Sequence, residues 1–192
     1  MARPAAIGLE RRPAAVTLLD HVAALLEGAD VAYALVGAGA LAVHGVSRST
    51  VDHDLLTTEP RVLTRPFWIA LPADVLVDQR RGDGDDPLAG VVRFTQAGQR
   101  DVDLMVGRAG WMDGVLQRRT TVPLPGHDLP VVSLSDLILL KLYAGGTQDR
   151  WDIAQLLATT SAATVQEDVE SRLHLLPSEC GSLWQRLASP GG

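Results

Sequence analysis

The chain has 192 residues, 46% of them apolar and 4% aromatic, with a formal net charge of −6 and a pI near 5.3. That size and apolar content describe one compact domain with a core of Leu, Val and Ala, and exclude the disordered class. The acidic balance excludes bulk non-specific nucleic-acid binding, though not a local basic groove, and a single cysteine, Cys180, excludes an internal disulfide framework.

No window of about 18 apolar residues is present, so no transmembrane helix is expected. The basic N-terminus lacks the apolar stretch of a signal peptide. With the lone cysteine, this makes a cytoplasmic location the expectation.

Residues 1–12 read as loose. Pro13 opens an amphipathic helix over 13–27, with Leu18, Leu19, Val22, Leu25 and Leu26 at helical spacing and Gly28 as its stop. A strand over 31–36 leads into a small-residue turn at 37–39, one or two helical turns to His44, and a second strand over 51–57. An amphipathic helix is predicted over 60–70, with Val62, Leu63, Phe67 and Ile69 as core contacts, followed by a strand at 74–77. Residues 79–87 read as a surface loop.

Strands at 91–95 and 101–106 form a hairpin with Gly98 in its turn, and a short helix covers 111–118. Two more strands, 120–124 and 129–132, flank Pro125 and Gly126. Ser133 or Ser135 then caps a strong helix stopped by Gly145 and Gly146; a further helix spans 149–159, and the tail to Leu187 is mostly helical. Strands first and helices last predict an α+β domain: a mixed-sheet core over 13–133 and a helical region over 134–192 packed on it.

Four features carry chemistry. Asp52 and Asp54 stand two apart on a predicted strand, so their carboxylates share a face. Asp103 lies on a later strand and shares a face with Asp101. Gly37 and Gly39 close a strand and open a helical segment, where backbone N–H groups can meet phosphate oxygens. Lys141 is the one charge in the apolar run 137–142. Mg²⁺ takes oxygen ligands, commonly one or two carboxylates with phosphate oxygens and water, and two ions about 3.5–4 Å apart can clamp an in-line phosphoryl displacement.

The run from Gly37 to Leu55, GAGALAVHGVSRSTVDHDL, resembles the signature of the polymerase-β-like nucleotidyltransferase superfamily. It is most similar to the branch holding AbiEii-type toxins of type IV toxin–antitoxin systems and related bacterial proteins. His44–Gly45, Arg48 and Thr50 fall in register before Asp52 and Asp54; Val102-Asp103-Leu104 resembles the third-carboxylate strand. Lys141-Leu-Tyr-Ala followed by Asp149-Arg-Trp-Asp152 resembles the family's helical pair of motifs. The chain departs from the pattern at Ala38, where a second glycine is usual, at Gly39, where a small polar residue is usual, and at His53 between the first two acids.

The resemblance implies a mixed-sheet fold flanked by helices and transfer of a nucleoside monophosphate from an NTP to an acceptor hydroxyl, with release of pyrophosphate. Asp52 and Asp54 would hold two Mg²⁺, and Asp103 would share one ion and help activate the hydroxyl. Gly37 and Gly39, with Ser47 or Arg48, would hold the triphosphate; Lys141 would neutralise phosphate charge, with Asp149 beside it in the substrate site. The acceptor is open among tRNA, a protein and a small molecule, and a toxin would have an antitoxin partner. Two rivals stand beside this reading: an antibiotic nucleotidyltransferase of aminoglycoside type, and a non-catalytic binding or antitoxin-like protein of the same fold.

Each feature also has an ordinary explanation. An Asp-x-Asp pair at a strand end is commonly solvated, Lys141 could snorkel, Asp149 and Asp152 could complement a helix dipole, and His44 could be a structural hydrogen-bonder. Order and co-occurrence on the expected elements favour the site.

Overall fold

The computed structural model describes residues 16–48, 52–124, 127–159 and 162–188. The expected loose segment 1–12, the helix start at Pro13, Thr50 and Val51 of the motif, and Pro125 and Gly126 lie outside the described residues.

The first helix, α1, runs Leu18–Gly28. Thr17 starts it by a capping box: its Oγ1 accepts from the Asp20 N–H at 3.2 Å, and its own N–H donates to Asp20 Oδ2 at 2.6 Å. The strand β1 (Tyr33–Leu35) feeds the short helix α2 (Gly37–Val43), and β2 (His53–Thr57) returns antiparallel to β1.

Between 60 and 70 the expected α-helix is two 3₁₀ turns, Pro60–Leu63 and Arg65–Trp68. The cause is Pro66. It has no N–H for the Val62 carbonyl, which instead accepts from Trp68 Nε1 at 2.7 Å. The tighter winding also rotates the core face: Val62, Leu63 and Trp68 are buried, whereas Ile69, expected in the core, is 86% exposed.

The edge strand β3 (Leu76–Arg81) includes Gln79, Arg80 and Arg81, which the sequence reading gave to a loop. They pair antiparallel with β4 (Leu88–Thr95), Arg80 opposite Val91. Charge on an exposed edge discourages further strand pairing, so polar composition and strand geometry coexist there. The hairpin from β4 to β5 (Val102–Gly107) turns at Gly98, whose φ of +76° suits glycine. The helix α3 (Trp111–Gln117) leads to the hairpin β6 (Thr120–Leu124) and β7 (His127–Val131).

Together the strands form one mixed seven-stranded sheet in the order β3-β4-β5-β2-β1-β7-β6, with β2 parallel to β5 and β1 parallel to β7. Alternation assigns its two faces. Leu55, Leu104, Val92 and Phe94 point to one, where Phe94 meets the Trp68 ring edge-on at 4.6 Å. The neighbouring residues Asp54, Asp103 and Arg93 point to the other. Four helices close the chain: α4 (Leu134–Ala144), α5 (Thr147–Thr159), α6 (Ala162–Glu170) and α7 (Ser178–Ala188). This is the α+β, mixed-sheet architecture expected from the sequence.

Ser133 caps α4, and Gly145 ends it in the left-handed region at φ +67°. Asp136, fully buried in its first turn, accepts from Arg118 Nε at 3.1 Å and Nη2 at 2.7 Å and from Ser133 Oγ at 2.7 Å. That carboxylate ties α4 to the residue following α3. Asp136→Ala strands a guanidinium and a hydroxyl; because Arg118 keeps a third of its side chain in water, we expect a cost of about 2 kcal/mol rather than the larger penalty of a fully buried pair. Thermal melting should show a Tm about 4–8 °C lower.

Candidate active site

Asp54 and Asp103 are direct register partners on the parallel strands β2 and β5. Asp52 precedes Asp54 by two residues on the same face. Adjacent like charges destabilise a sheet unless a cation answers them, and the Asp54 carboxyl responds accordingly. Burial first, then the negative charges of Asp103 and Asp52, push its pKa up; the Ala38 N–H and the charge of Arg48 act against that shift.

The glycine turn has a specific steric role. Gly37 has φ +57°, and a Cβ built on it would lie 2.8 Å from the Asp54 Cγ and 2.9 Å from its Cβ. Only glycine lets the carboxylate settle against the start of α2. Gly39 instead makes room for the Leu35 side chain, whose methyl carbons would lie 3.0 Å from an added Cβ.

Arg93, on β4 opposite Asp103, was absent from the sequence-derived set. Its Nε donates to Asp103 Oδ1 at 2.7 Å and its Nη2 to Asp103 Oδ2 at 2.6 Å, with Asp52 Oδ2 at 3.5 Å from the same Nη2. These carboxylates raise the arginine's already high pKa further. A signal for the contact existed: Arg93 and Asp103 are equidistant from Gly98, the centre of the hairpin.

Lys141 is 7% exposed, and its charge is already engaged. Nζ donates to Asp152 Oδ2 at 2.5 Å and to Asp149 Oδ1 at 3.1 Å. Asp152, fully buried, also accepts from Gln148 Nε2 at 3.1 Å, and Arg48 Nη1 stands 3.7 Å from its Oδ2. Asp152 is thus the hub joining α4, α5 and the segment ahead of β2. Arg48 links this cluster to Asp54, whereas Ser47 is exposed beside it. His44 Nε2 bonds the Val132 carbonyl at 2.9 Å. His53 is the register partner of Val102 and so belongs to the other face from the acids.

One step further along the carboxylate face, Leu56 and Met105 form the floor of a cavity of about 240 Å³ under Leu140 and Tyr143 of α4. Gly37, Lys141 and Asp149 also line it. The structure therefore brings Asp52, Asp54, Asp103 and Gly37 together on the sheet, and gathers Arg48, Lys141 and Asp149 around Asp152.

No family model and no curated protein matches the chain. Among solved structures it is similar to the antibiotic-resistance factor ANT(2'')-Ia in its solution structure: TM-score 0.55, 15% identity, 89% of this chain and 95% of that one. An antigenic nucleotidyltransferase-like protein of Paracoccidioides brasiliensis aligns with TM-score 0.48 and 18% identity over 84% of this chain and 88% of its own. A lincomycin-bound lincosamide antibiotic adenylyltransferase aligns with TM-score 0.46 and 14% identity, over 74% and 96%. The chain shares the fold of ANT(2'')-Ia, and at 15% identity the likeness shows the fold alone.

The raised Asp54 pKa has a direct consequence for stability. The folded state holds that proton more tightly than the unfolded chain, so charged Asp54 lowers stability above its folded pKa, and the cost disappears as pH falls through it. Asp54→Asn removes the charge while keeping an acceptor for the Ala38 N–H. In metal-free buffer at neutral pH its Tm should exceed wild type by about 2–4 °C per kcal/mol released, and the gap should narrow on acidification.

Proposed function

We propose that the chain is a Mg²⁺-dependent nucleotidyltransferase that moves a nucleoside monophosphate from an NTP to an acceptor hydroxyl and releases pyrophosphate. The observation that carries this reading is the in-register pair Asp54 and Asp103, with Asp52 on the same face, set against a turn where only Gly37 fits.

Among the described residues no group of three or more His, Cys, Asp or Glu is gathered closely enough to hold an ion, and Arg93 bonds Asp103 with Asp52 3.5 Å away. In kind, the donors fit a hard divalent cation: they are all carboxylate oxygens, and the raised Asp54 pKa marks a place short of positive charge. Asp52 and Asp54, with a share from Asp103, would hold two Mg²⁺. Bound there, the ions supply charge neutralisation for the phosphate oxygens in the transition state.

The chain's own groups do the positioning. Gly37 and Gly39 offer backbone N–H groups to the triphosphate, with Ser47 and Arg48 alongside. Lys141 and Asp149 form the far wall, with Lys141 fixed by Asp152. Asp103 orients the acceptor hydroxyl and accepts its proton as the oxygen bonds the α-phosphorus and the bond to pyrophosphate breaks. The cavity under α4, with Gly37, Lys141 and Asp149 in its lining, gives the substrate an apolar recess beside these groups. In this reading the helical region 134–192 closes over a core that ends near residue 133.

The motif order supports an AbiEii-type toxin acting in the cytoplasm on tRNA, a protein or a small molecule, with an antitoxin as partner. Fold similarity to ANT(2'')-Ia supports an antibiotic acceptor as the second reading. Four labelled NTPs should be tested with Mg²⁺ against total tRNA, cell protein and an aminoglycoside panel. Wild type should transfer label from at least one NTP, and Asp54→Ala should fall by about a hundredfold or more. Growth arrest on expression selects the toxin, and resistance selects the antibiotic enzyme. Complete absence of transfer across the set would sink both and leave the non-catalytic binding protein.

A further inference from the structure

Arg93 is not called for by the transfer chemistry above. It clamps both oxygens of Asp103 with one planar guanidinium, the fork-to-fork geometry of the strongest charge-assisted pairs. The same nitrogen that holds Asp103 Oδ2 lies 3.5 Å from Asp52 Oδ2, so one cation bridges an acid of β5 and the acid just ahead of β2. Asp54 is the register neighbour of Asp103 on the other side. Arg93 therefore answers the negative charge of the cluster from within the chain.

The guanidinium has a way out. Its side chain is 47% exposed, so leaving Asp103 returns it to water without a burial penalty. A second carboxylate waits on its other flank: Asp78 of β3 is the register partner of Arg93, on the same face. Asp78 is itself 56% exposed and held only by Arg80 Nε at 3.0 Å among the ion pairs of the described residues. The row Asp54, Asp103, Arg93, Asp78 thus runs across four adjacent strands, with the cation able to lean either way.

We propose that Arg93 is a resident counter-cation, a positioning residue that holds Asp103 and Asp52 in place while no metal is bound and yields Asp103 when a divalent ion enters. Arg93 and the ion then compete for the same carboxylate oxygens. This rests on the metal-dependent reading given above. A purely structural arginine would support the metal ligands, and its loss would weaken metal binding. A competitor predicts the opposite sign.

The test is Mn²⁺ binding to the full chain without nucleotide, followed by the loss of the free-ion electron paramagnetic resonance signal, for wild type, Arg93→Gln, Arg93→Lys and Asp54→Asn. Arg93→Gln should bind Mn²⁺ more tightly by about tenfold, the equivalent of one charge-assisted hydrogen bond released. Arg93→Lys should fall between, because an ammonium cannot grip both oxygens. Without metal, Arg93→Gln should melt below wild type and regain part of the difference on Mn²⁺ addition. A measurement on the unaltered protein guards against a variant that folds poorly: the Arg93 Nε–H resonance should shift and exchange faster with water as Mg²⁺ is titrated.

Equal or weaker Mn²⁺ binding by Arg93→Gln, with wild-type binding that Asp54→Asn abolishes, would overturn the competition and leave the metal site standing. An Arg93 resonance indifferent to Mg²⁺ in a protein that binds it would do the same. Absence of Mn²⁺ binding in every form would overturn the metal reading together with this proposal.

Discussion

Three carboxylates crowd one face of a parallel strand pair, and their mutual repulsion is the constraint that the surrounding structure answers. Asp54 and Asp103 face each other across β2 and β5, and burial of Asp54 deprives it of the water that would screen it. Three groups from three different elements meet the charge: the Ala38 N–H at the start of α2, the Arg48 guanidinium ahead of β2, and the Arg93 fork from β4. Gly37 belongs to the same solution, because any side chain there would occupy the volume of the carboxylate. The local sequence is thus shaped less by strand or helix propensity than by the need to let an acid and a backbone turn touch.

A second charged cluster is organised in the opposite manner. Around Asp152 the charges are nearly balanced, with Lys141 and Arg48 set against Asp149 and Asp152, and of these Lys141 and Asp152 are buried. Buried pairs of this kind contribute little net stability compared with apolar packing, but they lose several kcal/mol when one member is removed, so they fix geometry. Here they fix α4 to α5 across the wall of the cavity. Arg48 is shared between the clusters. It stands 3.7 Å from Asp152 on α5 and its charge also favours ionised Asp54 on β2.

Much of this was legible from residue order. Period-two spacing placed Asp52 and Asp54 on one face, and the hairpin about Gly98 gave β4 and β5. What escaped depends on cross-strand or cross-helix partnership. Arg93 sits in an apolar strand and looks like a solvated edge charge until Asp103 is set opposite it. Lys141 reads as a spare cation because nothing local reveals that Asp152, a turn beyond Asp149, will be buried against it. The misread elements have local causes. The residues 60–70 have helical apolar spacing, and one missing N–H at Pro66 converts them to 3₁₀ turns. Gln79, Arg80 and Arg81 lack apolar alternation because β3 is an edge strand and pairs on one side only.

Stability and site chemistry pull against each other at Asp54. Its burial and its acidic neighbours raise the free energy of the folded chain when its carboxylate is charged. The cavity on the same face is floored by Leu56 and Met105, with Lys141 in its wall. A solvated surface acid would have neither feature. Elsewhere the buried acids Asp136 and Asp152 are fully bonded to cations. Asp54, half-buried among acids, thus stands apart from the fully bonded Asp136 and Asp152, and the proposed metal site rests on that contrast.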